Sequence, residues 1–350
     1  MDITVRESLL ASPASPDGVQ KADAFYADAR WIDLIQSVYG FRVTRLEARG
    51  SDGALRGSLS VCALSSPLTG RRVVSLPFSD MCDMVASDDD AARQLLDQVV
   101  ELGRRRRARY IELRTGPSAV LDAREDFVAT DNYVSWRLPL DAGEEKVWAG
   151  VEKPVQRQVR KSRKLGVTIR FAQQREEMDI YHRLHVGTRS GKHGMPAQPR
   201  AFFRGLWDRF GSDGTVQALF AEHEGRTIAG MVLFAAGDTV HYAYGASEEQ
   251  SLHLSPNNLL MWESIAWAIG KGYKVFDMGR TARDNPGLME FKRKWGASAD
   301  PLPYYYWPHV AGLASTSETS RKYQLLTACW KRLPLPVASA LGGALYKHLG

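Results

Sequence analysis

The sequence predicts an α+β protein made of two units in tandem, each a mixed, mainly antiparallel sheet flanked by helices. Three observations carry this. The chain has 350 residues with an apolar fraction of 44%, which is about twice the usual length of one domain at the composition of a globular protein. Residues 216–247 read as three strands, VQALFAEHEG, TIAGMVLFAAG and TVHYAYGAS, joined at the turn pairs EG and GD, which makes an antiparallel meander. Finally, both halves follow one order: meander, helix, short strand carrying an acid, final strand. Glu112 and Asp277 fall at comparable places in it, as an old duplication would leave them.

Taken in order, a polar start (1–22) precedes an apolar helical stretch from Trp31 to Tyr39. Strand-like runs follow at 42–49, 55–64 and 71–76. A helix is predicted from Asp88 to Gly103, because Ala92, Leu95, Leu96, Val99, Val100 and Leu102 recur at helical spacing. Strands RYIELR (109–114) and YVSWRLPL (133–140) complete the first half. The second half opens on a basic helix near 153–164 and continues through VTIRFA (167–172) and helices near 176–190 and 199–210 to the meander. A helix from Ser255 to Lys271, a strand KVFDMG, a helix from Gly287 to Trp295 and a closing strand PLPYYYW follow. The expected domains are therefore 1–143 and 144–310, with 311–350 as an appendage ending in the amphipathic segment KRLPLPVASALGGALYKHLG.

Composition narrows the class. Cys62, Cys82 and Cys329 are odd in number, widely separated and outside any C-x-x-C pair, which excludes a disulfide framework or zinc ribbon and points to a reducing compartment. The N-terminus lacks the basic and apolar regions of a signal peptide, and no run reaches the roughly 18 apolar residues of a membrane span. The expectation is a cytoplasmic protein. A net charge of +6 favours anionic partners such as phosphates, nucleic acid or a lipid surface. No G-x-S-x-G, helical H-E-x-x-H or G-x-G-x-x-G is present, and the eight histidines form no metal-ligand pattern; His182 and His185 share a helix face without a third ligand.

The strand order of 216–307 is the topology of a GNAT-type fold, in which the central strands splay around an acyl donor. The series HYAYGAS (241–247), LSPNNLLMWESIAWAIGKGY (254–273), FDMGR (276–280), GLMEFKRKWG (287–296) and PYYYW (303–307) resembles the FemAB-type branch of GNAT-like transferases. LPFSDM and WKRLPLPVASALG are similar to members associated with bacterial exopolysaccharide loci. The resemblance implies tandem GNAT-like domains with the active cleft in the second. It further implies an acyltransferase that moves an aminoacyl or acyl group to an amine or hydroxyl of a cell-envelope precursor, as Fem peptidyltransferases do with aminoacyl-tRNA.

The resemblance also maps a Phe-Lys pair near the reacting groups onto Phe291 and Lys292, with Lys292 stabilising oxyanion charge or holding an anionic donor group. Phe291, Trp295 and Arg280 are accordingly substrate-binding candidates, whereas spacing alone favours a solvated Lys292 with Phe291 and Trp295 facing the core at i, i+4. Asp277, at a strand end before Gly279 and Arg280, is a candidate to orient the acceptor or take its proton, and equally to bond loop amides or pair with Arg280. Tyr242 and Tyr244 alternate on the strand bounding the acyl site, and Tyr244 is the third catalytic candidate. Where CoA-dependent relatives carry a Gly-rich pyrophosphate loop, this chain has EEQSLHLSPNN, so Asn257 and Asn258 are left to bind an anion or cap the helix. On the basic helix, Lys153, Arg157, Arg160, Lys161 and Lys164 fall within roughly 100° of arc, opposite Val151, Val155 and Val159. That face is either solvated or a phosphate track in which Arg157 and Lys161 bind substrate.

No tightly bound cofactor is expected; the donor is a co-substrate, either aminoacyl-tRNA, acyl-CoA or acyl carrier protein. The expected partners are this donor, the envelope precursor, tRNA, and a membrane surface met through residues 329–350, but not DNA. A non-catalytic module binding an anionic glycan or lipid in a polysaccharide assembly complex is the competing reading.

Overall fold

A computed structural model of the protein describes residues 3–9, 24–67, 70–308, 327 and 330–348. The first half contains β1 (Thr4–Leu9), α1 (Ala29–Tyr39), β2 (Val43–Arg49), β3 (Leu55–Ser66), β4 (Gly70–Val74), β5 (Val85–Ala86), α2 (Asp89–Arg105), β6 (Tyr110–Leu113), α3 (Ala119–Asp122) and β7 (Val128–Thr130). Then come β8 (Tyr133–Pro139), α4 (Glu144–Gly150), α5 (Lys153–Lys164), β9 (Thr168–Phe171), α6 (Glu177–Val186), a π-helix (Gly187–Lys192) and α7 (Arg200–Phe210). The meander β10 (Val216–His223), β11 (Arg226–Ala236) and β12 (Thr239–Ser247) is followed by α8 (Pro256–Gly270), β13 (Val275–Ala282), α9 (Pro286–Arg293), β14 (Ser298–Pro301), β15 (Tyr304–Trp307) and α10 (Leu335–Tyr346).

The helices form where the local chemistry demands them. Asp88 caps α2 by accepting from the Ala91 amide, Asp89 and Asp90 occupy its first turn, and Arg104 and Arg105 its last, each sign matching the helix dipole. Its apolar stripe, Leu95, Leu96, Val99 and Val100, is buried against the first sheet. Each of these side chains contributes about 1.5–3 kcal/mol by leaving water. In α5, Pro154 sits in the first turn where its missing N–H costs nothing, Val155 and Val159 are buried, and all five cations of the predicted row are exposed.

Among the described residues the first sheet has the order β1-β2-β3-β4-β6-β15-β7, with β5 on β3, and the second β9-β10-β11-β12-β13-β8-β14. Each contains an antiparallel meander followed by a short parallel ladder. In the first, Arg72, Val73 and Val74 face Tyr110, Ile111 and Glu112; in the second, Thr239, Val240 and His241 face Val275, Phe276 and Asp277. Glu112 and Asp277 thus occupy the same last rung, as the internal similarity predicts.

Within the polar start, β1 pairs antiparallel with β2 from Thr4↔Arg49 to Leu9↔Thr44. Two strand assignments are corrected. The strand at 133–140, assigned to the first half, lies beside β13 in the second sheet, and the closing strand of the second half, β15, pairs with β6 and β7 in the first. Apolar alternation identifies a strand without specifying its sheet, so local pattern could not reveal this exchange. In consequence one compact unit reaches to Val134 and resumes at Pro301, while the other spans Ser135–Asp300 and takes in α10. Boundaries at 143 and 310 do not follow this division.

Gly57 in β3 carries one tight packing constraint, because a Cβ there would lie 2.8 Å from the Val85 carbonyl oxygen and 3.3 Å from Ala86 Cα. Gly57→Ala is expected to destabilise the protein by about 1–3 kcal/mol. Gly150→Ala, where a Cβ meets nothing within 4 Å, is expected to be neutral; denaturant midpoints of both variants check the difference.

Candidate active site

The second sheet opens at one place. β12 and β13 pair only through His241 and Asp277, after which β12 continues to Ser247 and β13 to Ala282 with no further rung between them among the described residues. The facing strand edges beyond that point therefore present backbone N–H and C=O groups to the gap. A bulge sharpens the geometry. Val232 faces Tyr244 while the adjacent Leu233 faces Tyr242, so Ala243 is an extra residue in β12. The bulge breaks simple alternation, and both His241 and Tyr244 come to touch the Phe234 ring, at centroid distances of 6.1 and 6.0 Å.

At the apex, His241 Nδ1 lies 3.3 Å from Asp277 Oδ2, with side chains 12% and 15% exposed. The other carboxylate oxygen accepts from the Gly279 amide at 2.6 Å, a turn that uses a left-handed residue at φ 76° and so favours glycine. Burial pushes the Asp277 carboxyl up. The charge and hydrogen bond of His241, the Gly279 amide and the charge of Arg137 outweigh it, leaving the pKa below the ordinary carboxylate value. His241 was missed in the sequence, although it stands at the start of HYAYGAS; the missing signal was its rung opposite Asp277, which exists only in the sheet.

Lys292 is 3% exposed, and its Nζ donates to the carbonyls of Gly279 at 2.9 Å and Arg280 at 3.2 Å. The alternative of a solvated lysine is thereby overturned. This buried cation clasps the β13 wall of the gap two residues beyond Asp277, with Arg280 in the same clasp through its carbonyl. Phe291 is half-buried beside Trp295, ring centroids 6.4 Å apart. Trp295 is 0% exposed, so its assignment to substrate binding is corrected: the turn that ends α9 carries it into the core. Tyr244 packs among the rings of His185, Phe202, Phe203 and Phe234.

The remaining candidates divide into two places. Asn257 donates to Ser247 Oγ at 3.1 Å, tying the end of β12 to α8. Neither asparagine caps α8; Ser255, in the left-handed region at φ 56°, holds that position, with Asn258 half-buried just inside. Arg157 and Lys161 are exposed on α5, and the bond from Ser255 Oγ to Gln158 Oε1 (2.6 Å) brings their helix to the start of α8. On the other side of β12, Thr188 in the π-helix bonds both the amide and the carbonyl of Ser247. A cleft of about 910 Å³ beside it is lined by Arg183, Lys192, Arg226, Ser247 and Glu248 among others. Arg189 to Lys192 lie in this π-helical segment, which continues α6 and so follows a helix, not a strand.

His185 is buried, its Nε2 2.5 Å from Gln198 Oε1. Burial first, then the charge of Arg189, lowers its pKa to about 3, which fits a structural histidine. No cluster of metal-ligating side chains occurs among the described residues. Cys62 and Cys82 are buried free thiols raised by burial to about 12 and 11, while Cys329 lies outside the described residues. The corresponding rung of the first sheet is inert by comparison: Glu112 is held by Arg114 at 2.6 Å, a guanidinium that cannot accept a proton.

A sheet that parts after three parallel rungs, with a bulged central strand and helices on its faces, defines a GNAT-type fold, and residues 150–293 match the family model described as an acetyltransferase (GNAT) domain. The second unit therefore has the GNAT fold. More particularly, it is similar to lipid II:glycine glycyltransferases: those of Staphylococcus epidermidis and Staphylococcus haemolyticus are 34% identical over 82 residues and 36% identical over 86. Those segments cover 22% of this chain and 20% of each relative. The crystal structure of FemX superposes with a TM-score of 0.66 at 17% identity, covering 81% of this chain and 92% of that one. The structure of L-PGS from Bacillus licheniformis gives 0.54 at 11% identity, covering 87% and 97%.

Two measurements check the electrostatics. Because the folded-state pKa of Asp277 is lowered, its ionised form stabilises the native state above the unfolded pKa of about 4. That contribution is lost as pH falls through the folded value. Asp277→Asn should therefore lower Tm at neutral pH, by about 1–3 kcal/mol of stability, and the gap to wild type should close in strongly acidic buffer. In side-chain nitrogen NMR, His185 should stay neutral across the range of about pH 5–8 in which an ordinary histidine titrates.

Proposed function

We propose that this protein is an acyltransferase that moves an aminoacyl or acyl group onto an amine or hydroxyl of a cell-envelope or polysaccharide precursor at the cytoplasmic face of the membrane. The observation that carries this reading is the His241–Asp277 pair at the point where β12 and β13 part, with buried Lys292 clasping the wall beside it. Acyl transfer in such a gap needs a positioned acceptor, a proton acceptor and charge stabilisation for the oxyanion.

Asp277 holds Nδ1 of His241, which makes Nε2 the atom that takes the proton from the acceptor as its nitrogen or oxygen attacks the acyl carbon. The bond to the carrier then breaks, and the departing oxygen or sulfur leaves with a proton returned by the imidazolium. Backbone amides on the open edge of β12 and the charge of Lys292 oppose the negative charge on the carbonyl oxygen. Tyr244 and Phe291 shape the walls. Arg280 helps to hold the precursor or donor.

The donor is a co-substrate carried by tRNA, CoA or acyl carrier protein. All three bring phosphate, and Arg157 and Lys161 on the face of α5 next to Ser255, together with Asn257 and Asn258, form the track that receives it. The lipid II-directed activity named for the staphylococcal relatives supports an envelope precursor as acceptor, and the similarity of LPFSDM and WKRLPLPVASALG to exopolysaccharide-associated sequences supports a polysaccharide one.

Purified protein incubated with labelled aminoacyl-tRNA, acyl-CoA and acyl carrier protein, each with lipid-linked precursor, is expected to transfer label from one of them. Transfer from none would overturn the enzymatic reading. His241→Gln should reduce kcat by roughly 10²–10⁴-fold, and Arg157→Gln with Lys161→Gln should raise KM for the donor with kcat little changed.

A further inference from the structure

α10 is apolar all round, its twelve residues LPVASALGGALY carrying no charge. Such a helix is normally enclosed on every side. Here only one side is covered. Ala338, Gly342 and Tyr346, spaced i, i+4 and i+8, are buried, and a Cβ on Gly342 would lie 3.1 Å from the Ala197 amide nitrogen, so the helix is pressed closely onto its own unit. Trp330, just before it, donates to Ser190 Oγ of the π-helical segment at 3.2 Å.

The other side is exposed. Val337, Ala340, Leu341 and Ala344, at i, i+3, i+4 and i+7, make one continuous apolar face. Of the five large hydrophobic side chains exposed among the described residues, three are on this helix: Leu335 at 47%, Val337 at 44% and Leu341 at 44%. Cations bracket the face, with Lys331 and Arg332 exposed at one end and Lys347 at the other. The sequence from Thr319 to Gly350 contains no Asp or Glu at all.

We propose that the outer face of α10 docks on an anionic lipid surface, lying in the interface plane with Val337 and Leu341 inserted and Lys331, Arg332 and Lys347 at headgroup level. Charge selects this occupant. A second copy of the chain would bring the same cations to the same face, whereas a phospholipid surface offers both negative headgroups and an apolar layer a few ångströms below them. The helix is too short to span, and Trp330 anchors its start to the π-helical segment, whose Lys192 lines the cleft. The inference does not depend on acyl transfer.

The test floats the full-length protein with vesicles of phosphatidylcholine, with and without phosphatidylglycerol. Wild type is expected to float with the anionic vesicles, more weakly with the neutral ones, and less as salt is raised. Val337→Ser with Leu341→Ser should lower the partition coefficient roughly tenfold, and Lys331→Gln with Arg332→Gln by a comparable factor, both at unchanged Tm. Transfer from soluble donor to soluble acceptor should be unaffected. No flotation of wild type, flotation of the Val337/Leu341 variant equal to wild type, or a solution dimer abolished by that variant without vesicle binding would each overturn the proposal.

Discussion

Everything in the second unit turns on a ladder that stops early. β12 and β13 share only three rungs, ending at His241 and Asp277, and the meander on one side and β8 on the other keep both strands in place while they separate. Strands that part inside a sheet expose backbone groups that would ordinarily be paired. That is costly in a core and useful beside a polar substrate. The bulge at Ala243 and the left-handed turn at Gly279 both lie within a few residues of the parting. Lys292 holds the β13 side open by occupying the carbonyls of Gly279 and Arg280.

The two sheets give an internal comparison. Both place a carboxylate on the last parallel rung, yet the partners differ in kind. Glu112 faces Arg114, which also bonds the Ser79 carbonyl and lies over the Tyr304 ring at 5.6 Å. A permanent cation so enclosed fixes structure and moves no proton. Asp277 faces an imidazole, a group that can both accept and release a proton. The two rungs are equivalent in position, but Glu112 lies opposite Val74 and is tied to Arg114 of its own segment, whereas Asp277 meets an imidazole across the ladder.

Much of the chain could be read locally. The α2 stripe with its Asp88 cap, the meander with its turn pairs, the one-sided cation row of α5 and the equivalence of Glu112 with Asp277 all follow from spacing and turn chemistry. The site was partly legible: Asp277 carried a local signal at a strand end, while Lys292 was picked out by the resemblance and not by its spacing. His241 carried none, being an ordinary residue of an apolar strand until its neighbour across the ladder is known. Trp295 was drawn to the site by the resemblance, whereas its i, i+4 spacing from Phe291 already pointed to the core face it takes.

The sequence by itself determined the elements, their order and the repetition of one α+β plan, because helix and strand periods, caps and turns are set by residues a few positions apart. Only the tertiary structure decided which sheet β8 and β15 join, where the ladder ends, and that a histidine and an aspartate 36 residues apart meet there. These are matters of pairing between distant segments, and a strand's side-chain pattern is the same whichever edge it completes.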